Sequence, residues 1–372
     1  MRSRSLFRAL PGLLIVLAAL VWALPIRAGD LLLDMLDVGQ GDSLLLRSPD
    51  GKVILVDAGD GHVDVTAELR ARGVDHLDLV VVTHAHDDHL GGMEAVIRAF
   101  PVGVFMDSGV PHTSQVYTNL MAAVEALDLP YQAAEQGQHI RFGAEVAVDV
   151  LWPGRVKLHG TRSDLNANSV VLRVEHGNDC MLLTGDSEEE TEVRMEIRGL
   201  EPCGLLKVAH HGSNYSSTDH FLIKVKPGIG LISVGESNRY NHPGVDTLGR
   251  LEAHGVAPYR TDLDGALRVI SSGHGMRVQK GIVSVALGAV APPAVEARQV
   301  ESERLREAAP ATPRFVASRN SEVFHAPGCE WAAKIKPANL VTYDSYDDAI
   351  ADGRRPAGCC HPQPGDHQDS EP

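Results

Sequence analysis

The stretch Thr83-His-Ala-His-Asp-Asp-His-Leu-Gly-Gly92 places three histidines and two aspartates within six consecutive positions. It follows the apolar run Leu79 to Val82, which predicts a buried strand. Alternate residues at a strand end can point the same way, so His84 and His86 are placed to bind one metal ion. Asp88 and His89, beyond the bend, are placed to bind a second. Imidazole and carboxylate ligands suit zinc, manganese and iron. The pattern therefore predicts a metal site.

The bulk composition limits the classes of protein that can carry this site. The chain has 372 residues, of which 44% are hydrophobic, and a net charge of −15. This allows one large domain and a small one. The acidic balance argues against a protein that coats nucleic acid through bulk charge. A metal site or a local basic patch is still compatible with binding a phosphodiester.

Strand-like and helical patterns alternate along most of the chain. For example, Leu77 to Thr83 predicts a buried strand and Glu188 to Arg198 a charged helix. Sheets with helices on their outer faces predict a layered α/β architecture. Composition divides the chain into five expected segments: a signal peptide or anchor at 1–29, a large domain at 30–288, a linker at 289–312, a small module at 313–364 and a polar tail at 365–372.

The first segment predicts export. Arg2, Arg4 and Arg8 precede an apolar run from Ala9 to Leu24, which is typical of a signal peptide or an uncleaved anchor. We expect a periplasmic or extracellular protein, or one anchored to the outer face of the cytoplasmic membrane, with membrane contact only through this segment. The alternative is a buried amino-terminal helix.

The motif HxHxDH after a strand resembles the signature of the metallo-β-lactamase fold, an αββα sandwich with a one- or two-metal site. The resemblance implies that Asp57, in Leu-Val-Asp-Ala-Gly, orients metal-site residues from outside the ligand shell. It implies that Asp186, in Leu-Leu-Thr-Gly-Asp, bridges two metals. It makes His210, in Lys-Val-Ala-His-His-Gly-Ser, the last ligand, with His211 as its rival for that role. The expected ligands are His84, His86, Asp88, His89, Asp186 and His210.

The first metal position departs from the family pattern. Many members carry a third histidine between HxHxDH and the bridging aspartate, and the nearest fit here is Asn166-Ala-Asn168-Ser169. That position would then be completed by Asn168 or by water. We expect a lower metal affinity there.

Two further motifs, Asp37-Val-Gly-Gln-Gly-Asp-Ser43 and Asn238-Arg-Tyr-Asn-His-Pro243, resemble the soluble carboxy-terminal domain of ComEC-type DNA-uptake proteins. The resemblance covers Leu31 to Ile270 and implies an exported metal-dependent hydrolase, a phosphodiesterase or nuclease acting on DNA. The alternatives are a hydrolase of a lactone, a thioester or a cell-wall phosphodiester, and a non-catalytic DNA-uptake accessory protein.

The implied chemistry uses two divalent ions, Zn or Mn, which lower the pKa of a shared water so that a metal-activated hydroxide attacks phosphorus. Asp88 and His242 are the expected catalytic residues, with His242 either a general acid or a phosphate ligand. Ser213 and Asn214 are expected to hydrogen-bond the substrate.

The small module resembles a zinc-binding module related to the metal-binding domain of the Ada repair protein. His325, Cys329 and Cys360 match that pattern, while Ala357 stands where its third ligand belongs. Cys359 or His361 would have to substitute. The module therefore predicts one structural zinc, with a disulfide or a metal-free module as the alternatives. Cys180 and Cys203, in apolar surroundings, are expected to be core residues.

Overall fold

Two large sheets stacked face to face build most of the molecule. The computed structural model describes residues 29–282 and, with gaps, residues 315–357. The predicted signal segment up to residue 28, the linker and the polar tail lie outside the described residues. The strands in chain order are β1 Leu31–Met35, β2 Leu44–Arg47, β3 Val53–Val56, β4 Leu77–Val82, β5 Val102–Asp107, β6 Tyr131–Ala133, β7 His139–Arg141, β8 Val146–Trp152, β9 Val171–His176, β10 Asp179–Leu183, β11 Leu205–Lys207, β12 Ile229–Ile232, β13 Ala257–Arg260, β14 Leu267–Ser271, β15 Met276–Lys280, β16 Phe315–Ser318, β17 Val323–His325, β18 Leu340–Tyr343 and β19 Arg355–Pro356.

Short helices connect the strands and cover the outer faces. They are α1 Val65–Ala71, α2 Asp87–Leu90, α3 Met93–Ala99, α4 Gln115–Ala126, α5 Asp164–Ala167, α6 Glu189–Ile197, α7 Asp219–Val225, α8 Val245–Ala253, α9 Thr261–Asp264 and α10 Tyr346–Ala351, with single 3₁₀ turns at His210–Gly212 and Ala332–Lys334. No helix in the described ranges is both long and apolar enough to cross a membrane.

The two large sheets confirm the predicted αββα sandwich. The first has eight strands in the order β15-β14-β1-β2-β3-β4-β5-β6, and the second has seven in the order β13-β12-β11-β10-β9-β8-β7. Their facing sides share one apolar core that includes Leu33, Val81, Val148 and Met181. A second apolar cluster lies under α1, α3 and α4, and a third under α6, α7 and α8. Apolar residues on both faces explain why these strands are almost uninterrupted hydrophobic runs.

Parallel pairing gathers the functional loops. β3 pairs parallel with β4 in one sheet, and β10 pairs parallel with β11 in the other. Parallel neighbours end at the same edge, so the loops that follow these four strands meet at one end of the sandwich. Ligands bind at the carboxyl ends of strands in such sheets, and this is where the predicted ligand residues lie.

A disulfide links the second sheet to the chain leading into β11. Cys180 and Cys203 are buried, as expected of core residues, but they are also bonded to each other across 23 residues of sequence. Their apolar context predicted burial and not the bond, because only the pairing of β10 with β11 brings them together.

The small carboxy-terminal unit has a sheet of its own. Its four strands run in the order β18-β16-β17-β19 around a core of Phe315, Phe324 and Tyr343, against which Val156 of the large domain packs. Arg155 Nη1 also donates a hydrogen bond of 3.0 Å to Thr342 Oγ1. The unit therefore rests on the loop that follows β8.

Candidate metal centre

The loop after β4 carries the first part of the centre. Thr83 ends the strand run, His84 and His86 follow, and the one-turn helix α2 presents Asp88 and His89. His84 Nε2 and His86 Nδ1 lie 2.9 Å apart, so both nitrogens face one point. His84 Nδ1 lies 3.1 Å from Thr83 Oγ1, which fixes the ring orientation. The predicted pairing of these two histidines is therefore present in the structure.

Asp57 contacts the ring nitrogen of His89 that faces away from Asp186. It follows β3 with a φ of 59°, and its carboxylate accepts hydrogen bonds of 2.7 Å from both Thr83 N and Thr83 Oγ1. The same carboxylate lies 2.7 Å from His89 Nδ1. A carboxylate bonded to one ring nitrogen leaves the other nitrogen oriented toward a metal. The structure thus places Asp57 as an outer partner.

Asp186 lies between the histidines of the two sheets. Its Oδ2 is 3.3 Å from His89 Nε2 and 3.5 Å from His211 Nε2. The same oxygen is 3.9 Å from His84 Nε2 and 3.8 Å from His210 Nε2. One carboxylate oxygen is therefore shared by four imidazoles, as a residue bridging two ions requires.

The adjacent histidines after β11 contact different neighbours. Both adopt positive φ, 50° at His210 and 53° at His211. His211 is buried, with Nε2 at 3.3 Å from Asp88 Oδ2 and Nδ1 at 2.9 Å from the Ser233 carbonyl oxygen. His210 is partly exposed and its Nδ1 lies 3.1 Å from Glu188 Oε1. Each ring thus has an outer oxygen partner at Nδ1 and directs its Nε2 toward Asp186.

Two candidate positions result. We call the surroundings of His84 and His86 the first position, and those of Asp88, His89 and His211 the second; Asp186 borders both. The ligand atoms of Asp88, His89 and His211 all lie within 4.8 Å of one another, as do those of His84, His89 and Asp186 and, on the outer side of His89, those of Asp42, Asp57 and His89.

The donor atoms fit divalent cations. His89 Nε2, His211 Nε2 and Asp186 Oδ1 are buried and have no hydrogen-bond partner among the described residues. Unsatisfied buried polar atoms are costly, and a cation in their midst would satisfy them. Imidazole and carboxylate donors accept zinc, manganese or iron.

The electrostatics of the centre also favour cations. Burial lowers the pKa of His211, but the carboxylates of Asp186, Asp42 and Asp88 outweigh it and raise this pKa to about 10. Conversely, burial raises the pKa of Asp186, but the neighbouring histidines hold it well below its usual range. Burial, followed by the charge on His89, lowers the pKa of His84 well below its usual range. The carboxylates therefore concentrate negative potential at the second position.

Asn168 does not reach the centre. Its Oδ1 accepts a hydrogen bond of 2.9 Å from Leu158 N, and its Nδ2 donates to the carbonyl oxygens of Leu158 and Asp164 at 2.9 and 2.7 Å. The amide is thus engaged by the backbone of the 158–164 loop. The expectation that it completes the first position is corrected, because its side chain is used to fold that loop.

Asn166 faces the centre instead. Its Nδ2 lies 3.4 Å from His210 Nδ1, and its buried Oδ1 has no partner among the described residues.

A buried lysine beside Asp186 was not predicted. Lys207 at the end of β11 is fully buried and pairs with the equally buried Asp42. Its Nζ donates to the Gly185 carbonyl oxygen at 2.8 Å and lies 3.7 Å from Asp186 Oδ1. Lys207 lies in a run that predicts a strand, and a strand pattern predicts only that successive side chains alternate between the two faces of a sheet. Nothing in the sequence therefore predicted a cation on the inner face of this sheet.

His242 lies at the edge of the centre. Its ring centroid is 5.3 Å from that of His210, and its Nδ1 is buried without a partner among the described residues. Burial, followed by the charges of His210 and His211, lowers the pKa of His242 to about 4. The predicted position beside the centre is thus observed.

Ser213 and Asn214 have structural partners. Ser213 is buried, and its carbonyl oxygen accepts a 2.7 Å hydrogen bond from Thr247 Oγ1. Asn214 Oδ1 accepts one of 3.3 Å from Thr247 N, in the first turn of α8. These contacts join the loop after His211 to α8, and the substrate contact expected of both residues stays a prediction.

The small unit contains half of its predicted zinc site. Cys329 Sγ lies 3.4 Å from His325 Nδ1. Cys359 and Cys360 lie outside the described residues, so the full ligand set stays a prediction.

The fold and the shared aspartate define a class. The family model described as the metallo-beta-lactamase superfamily matches residues 36–236. The chain belongs to this superfamily, and it is a metal-dependent hydrolase by fold and by site.

Three curated proteins are similar in sequence to this chain. The chain is 28% identical over 291 residues to ComE operon protein 3 of Bacillus subtilis (strain 168), covering 72% of this chain and 36% of that protein. It is 32% identical over 250 residues to competence protein ComA of Neisseria gonorrhoeae, covering 66% and 33%. Recombination protein 2 of Haemophilus influenzae (strain ATCC 51907 / DSM 11121 / KW20 / Rd) is 30% identical over 243 residues, covering 63% and 28%. The aligned part spans about a third of each relative, and the predicted ComEC-type resemblance is confirmed.

Proposed function

We propose that this protein is a two-metal phosphodiesterase, a nuclease that cleaves DNA outside the cytoplasm with Zn or Mn. The observation that carries the proposal is the single oxygen of Asp186 shared by four imidazoles. A pair of cations held about 3.5–4 Å apart is the arrangement that phosphoryl-transfer enzymes use to clamp both oxygens of an in-line displacement.

The ligands divide between two ions. His84, His86 and Asp186 would hold the first, and Asp88, His89, His211 and Asp186 would hold the second. His210, oriented by Glu188 at 3.1 Å, would complete the first position. This assignment keeps His210 as a ligand, adds His211, and supplies the third histidine that the sequence lacks before Asp186.

The remaining residues of the centre would position the metal ligands and contact the substrate. Bound ions supply Lewis-acid stabilisation of the phosphoryl oxygens and an activated water. Asp57 and the Ser233 carbonyl oxygen hold the rings of His89 and His211. Asp88 holds the second position at the mouth of the centre. His242, whose Nδ1 has no partner among the described residues, would contact a phosphate oxygen, either as a phosphate ligand or as a general acid.

DNA as the substrate is supported by the relatives' names, which include a ComE operon protein, a competence protein and a recombination protein. The fold alone hosts several hydrolytic chemistries. Lactone, thioester and cell-wall phosphodiester hydrolysis therefore serve as the comparison in the test, together with a non-catalytic accessory role.

Export is supported by the disulfide between Cys180 and Cys203, because such bonds persist in oxidising compartments. Cell fractionation and mass spectrometry of the mature amino terminus would locate the protein and any cleavage. A protein with reduced cysteines in the cytoplasm would contradict this part.

The small unit is proposed to hold one structural zinc through His325 and Cys329, with Cys359 and Cys360. Elemental analysis of Cys329→Ser should show one zinc fewer than the wild type. An unchanged zinc content would refute this site.

The test of the function uses the full chain, loaded with Zn or Mn, on single-stranded DNA, duplex DNA, bis(4-nitrophenyl) phosphate and a chromogenic lactone. We expect hydrolysis of the phosphodiesters by the wild type and none by Asp186→Ala. If the two proteins are equally inert on every phosphodiester, the proposal is wrong. Cleavage of the lactone alone would replace it with the lactonase alternative.

A further inference from the structure

Two exposed tyrosines lie beside the metal centre, each with an arginine on its ring. Arg162 Cζ lies 3.3 Å from the ring centroid of Tyr215. Arg239 Cζ lies 5.0 Å from the centroid of Tyr240, and its Nη2 donates a 2.8 Å hydrogen bond to the Tyr240 hydroxyl. Tyr215 and Tyr240 are 53% and 50% exposed, so about half of each side chain is open to solvent.

Contacts connect each pair to the centre. Arg162 Nε lies 3.9 Å from Glu188 Oε2, and Glu188 contacts His210. The Tyr240 ring stacks on His242, with centroids 5.8 Å apart and an interplanar angle of 25°.

His210 and His242 also contact each other edge to face. One chain of contacts therefore runs from Tyr215 across the mouth of the centre to Tyr240.

The loop that carries Tyr240 is held in place. Asn238 Nδ2 donates hydrogen bonds to the carbonyl oxygens of Gly235 at 3.0 Å and His242 at 2.8 Å. Asn238 Oδ1 accepts from the backbone nitrogens of Tyr240 at 3.2 Å and His242 at 2.9 Å. A side chain that makes four such bonds fixes the loop backbone at Tyr240 and leaves the Tyr240 ring uncovered. Exposure of this ring is thus built into the loop.

Aromatic rings interleaved with cations suit a nucleic acid strand. Bases stack on exposed aromatic side chains, while arginines neutralise phosphates. The chain as a whole carries a net charge of −15, so attraction of a polyanion has to come from such local cations. In a duplex the base faces are already stacked on each other, so these rings are accessible only to unpaired bases.

We propose that Arg162–Tyr215 and Arg239–Tyr240 are nucleotide subsites on the two sides of the metal centre, which make the enzyme select unpaired strands over duplex. This inference rests on the proposed nuclease function. The atoms that react are unchanged by it, because the subsites bind the bases and phosphates that flank the scissile bond.

The experiment compares the full-length, metal-loaded wild type with Tyr215→Leu, Tyr240→Leu and the double variant. The readout is the ratio of kcat/KM on a fluorescent single-stranded oligonucleotide to kcat/KM on bis(4-nitrophenyl) phosphate, which has no bases. We expect this ratio to fall about tenfold for each tyrosine, as the loss of one stacked base implies. Tyr215→Phe and Tyr240→Phe, which keep the ring, should restore it.

Tyr259 provides the matched control. It forms another tyrosine–cation pair, with Lys280 Nζ 5.1 Å from its ring centroid, at the outer strand β13 of the second sheet. Tyr259→Leu should leave the ratio at the wild-type value. If Tyr259→Leu lowers the ratio as much as the double variant, or if the double variant leaves it unchanged, the subsites are refuted.

Binding separates this inference from the nuclease proposal. Fluorescence anisotropy with a nonhydrolysable phosphorothioate oligonucleotide and its duplex measures affinity without cleavage. Weaker single-strand binding by the double variant, in a protein that cleaves no phosphodiester, would support the subsites and overturn the nuclease function. Cleavage and binding that do not depend on either tyrosine would overturn the subsites and keep the function. Tighter binding of duplex than of single strand would also overturn the selectivity.

Discussion

The two metal positions differ in how firmly the protein holds their ligands. At the second position both histidines, His89 and His211, are almost completely buried, at 0% and 1% exposure, and Asp57 and the Ser233 carbonyl oxygen fix their rings, while the Asp88 side chain is 30% exposed. At the first position His84 is equally buried, but the side chain of His210 is 24% exposed, and His86 is also partly exposed. Ligands preorganised in a dry site bind tighter than ligands that must be ordered on binding. The comparison indicates that the second position fills first.

The variant with the largest expected effect removes the residue that both positions share. Asp186→Ala should lose both ions at the centre, and its hydrolytic activity should fall by more than about 100-fold. Substitution of a residue that only orients a metal ligand already lowers metal affinity or activity by about 10–100-fold. Elemental analysis and phosphodiesterase assays check this. Retention of both ions would mean that Asp186 bridges nothing and that the two positions are independent.

Removing one ligand from each position tests the assignment. His84→Ala should empty the first position and His211→Ala the second, so each protein should keep one ion at the centre. Calorimetric titration should show that the ion left in His84→Ala binds more tightly, because both histidines of the second position are buried and held by outer partners. Tighter binding in His211→Ala would reverse the order proposed for the two positions.

Two carboxylates outside the proposed ligand sets, Asp57 and Glu188, test the two metal positions separately. Asp57→Asn should weaken metal binding at the second position by about 10–100-fold, because His89 loses the partner that orients its ring. Glu188→Gln should weaken the first position through His210 and leave the second unaltered. Competition with a metal-sensitive dye measures both affinities. An effect of either substitution on the opposite position would contradict the division of ligands.

Removal of the disulfide is expected to have the smallest effect on either metal position. The double variant Cys180→Ser, Cys203→Ser should lower the free energy of unfolding by about 3 kcal/mol, as expected for a closed loop of this length. The folded variant should bind both ions as the wild type does, since neither cysteine lies at the centre. Denaturant unfolding and metal titration test the two statements separately. A selective loss of one ion would show that the bond positions a ligand.

Much of the fold was predictable because the relevant information is local. The apolar runs predicted strands such as β4 and β10 to within about a residue at each end, since a strand buried on both faces leaves a nearly continuous hydrophobic run. The long helix α4 and the edge strands β6 and β7 were not predicted. Their residues are half-exposed and lack a strong periodic pattern, so only their neighbours define them.

The sequence by itself determined the chemistry of the centre: histidines and aspartates at strand ends, in the order and spacing of the metallo-β-lactamase motifs. The tertiary structure decided which ring nitrogens face Asp186 and which face outer oxygen partners. His210 and His211 are identical in type and adjacent, and their positive φ angles and separate partners, Glu188 and Ser233, give them different places. The tertiary structure likewise directs the Asn168 side chain to the backbone of the 158–164 loop and places Lys207 beside Asp186. The physical reason is that residue type sets what a side chain can bind, whereas backbone torsion and long-range packing set where it points.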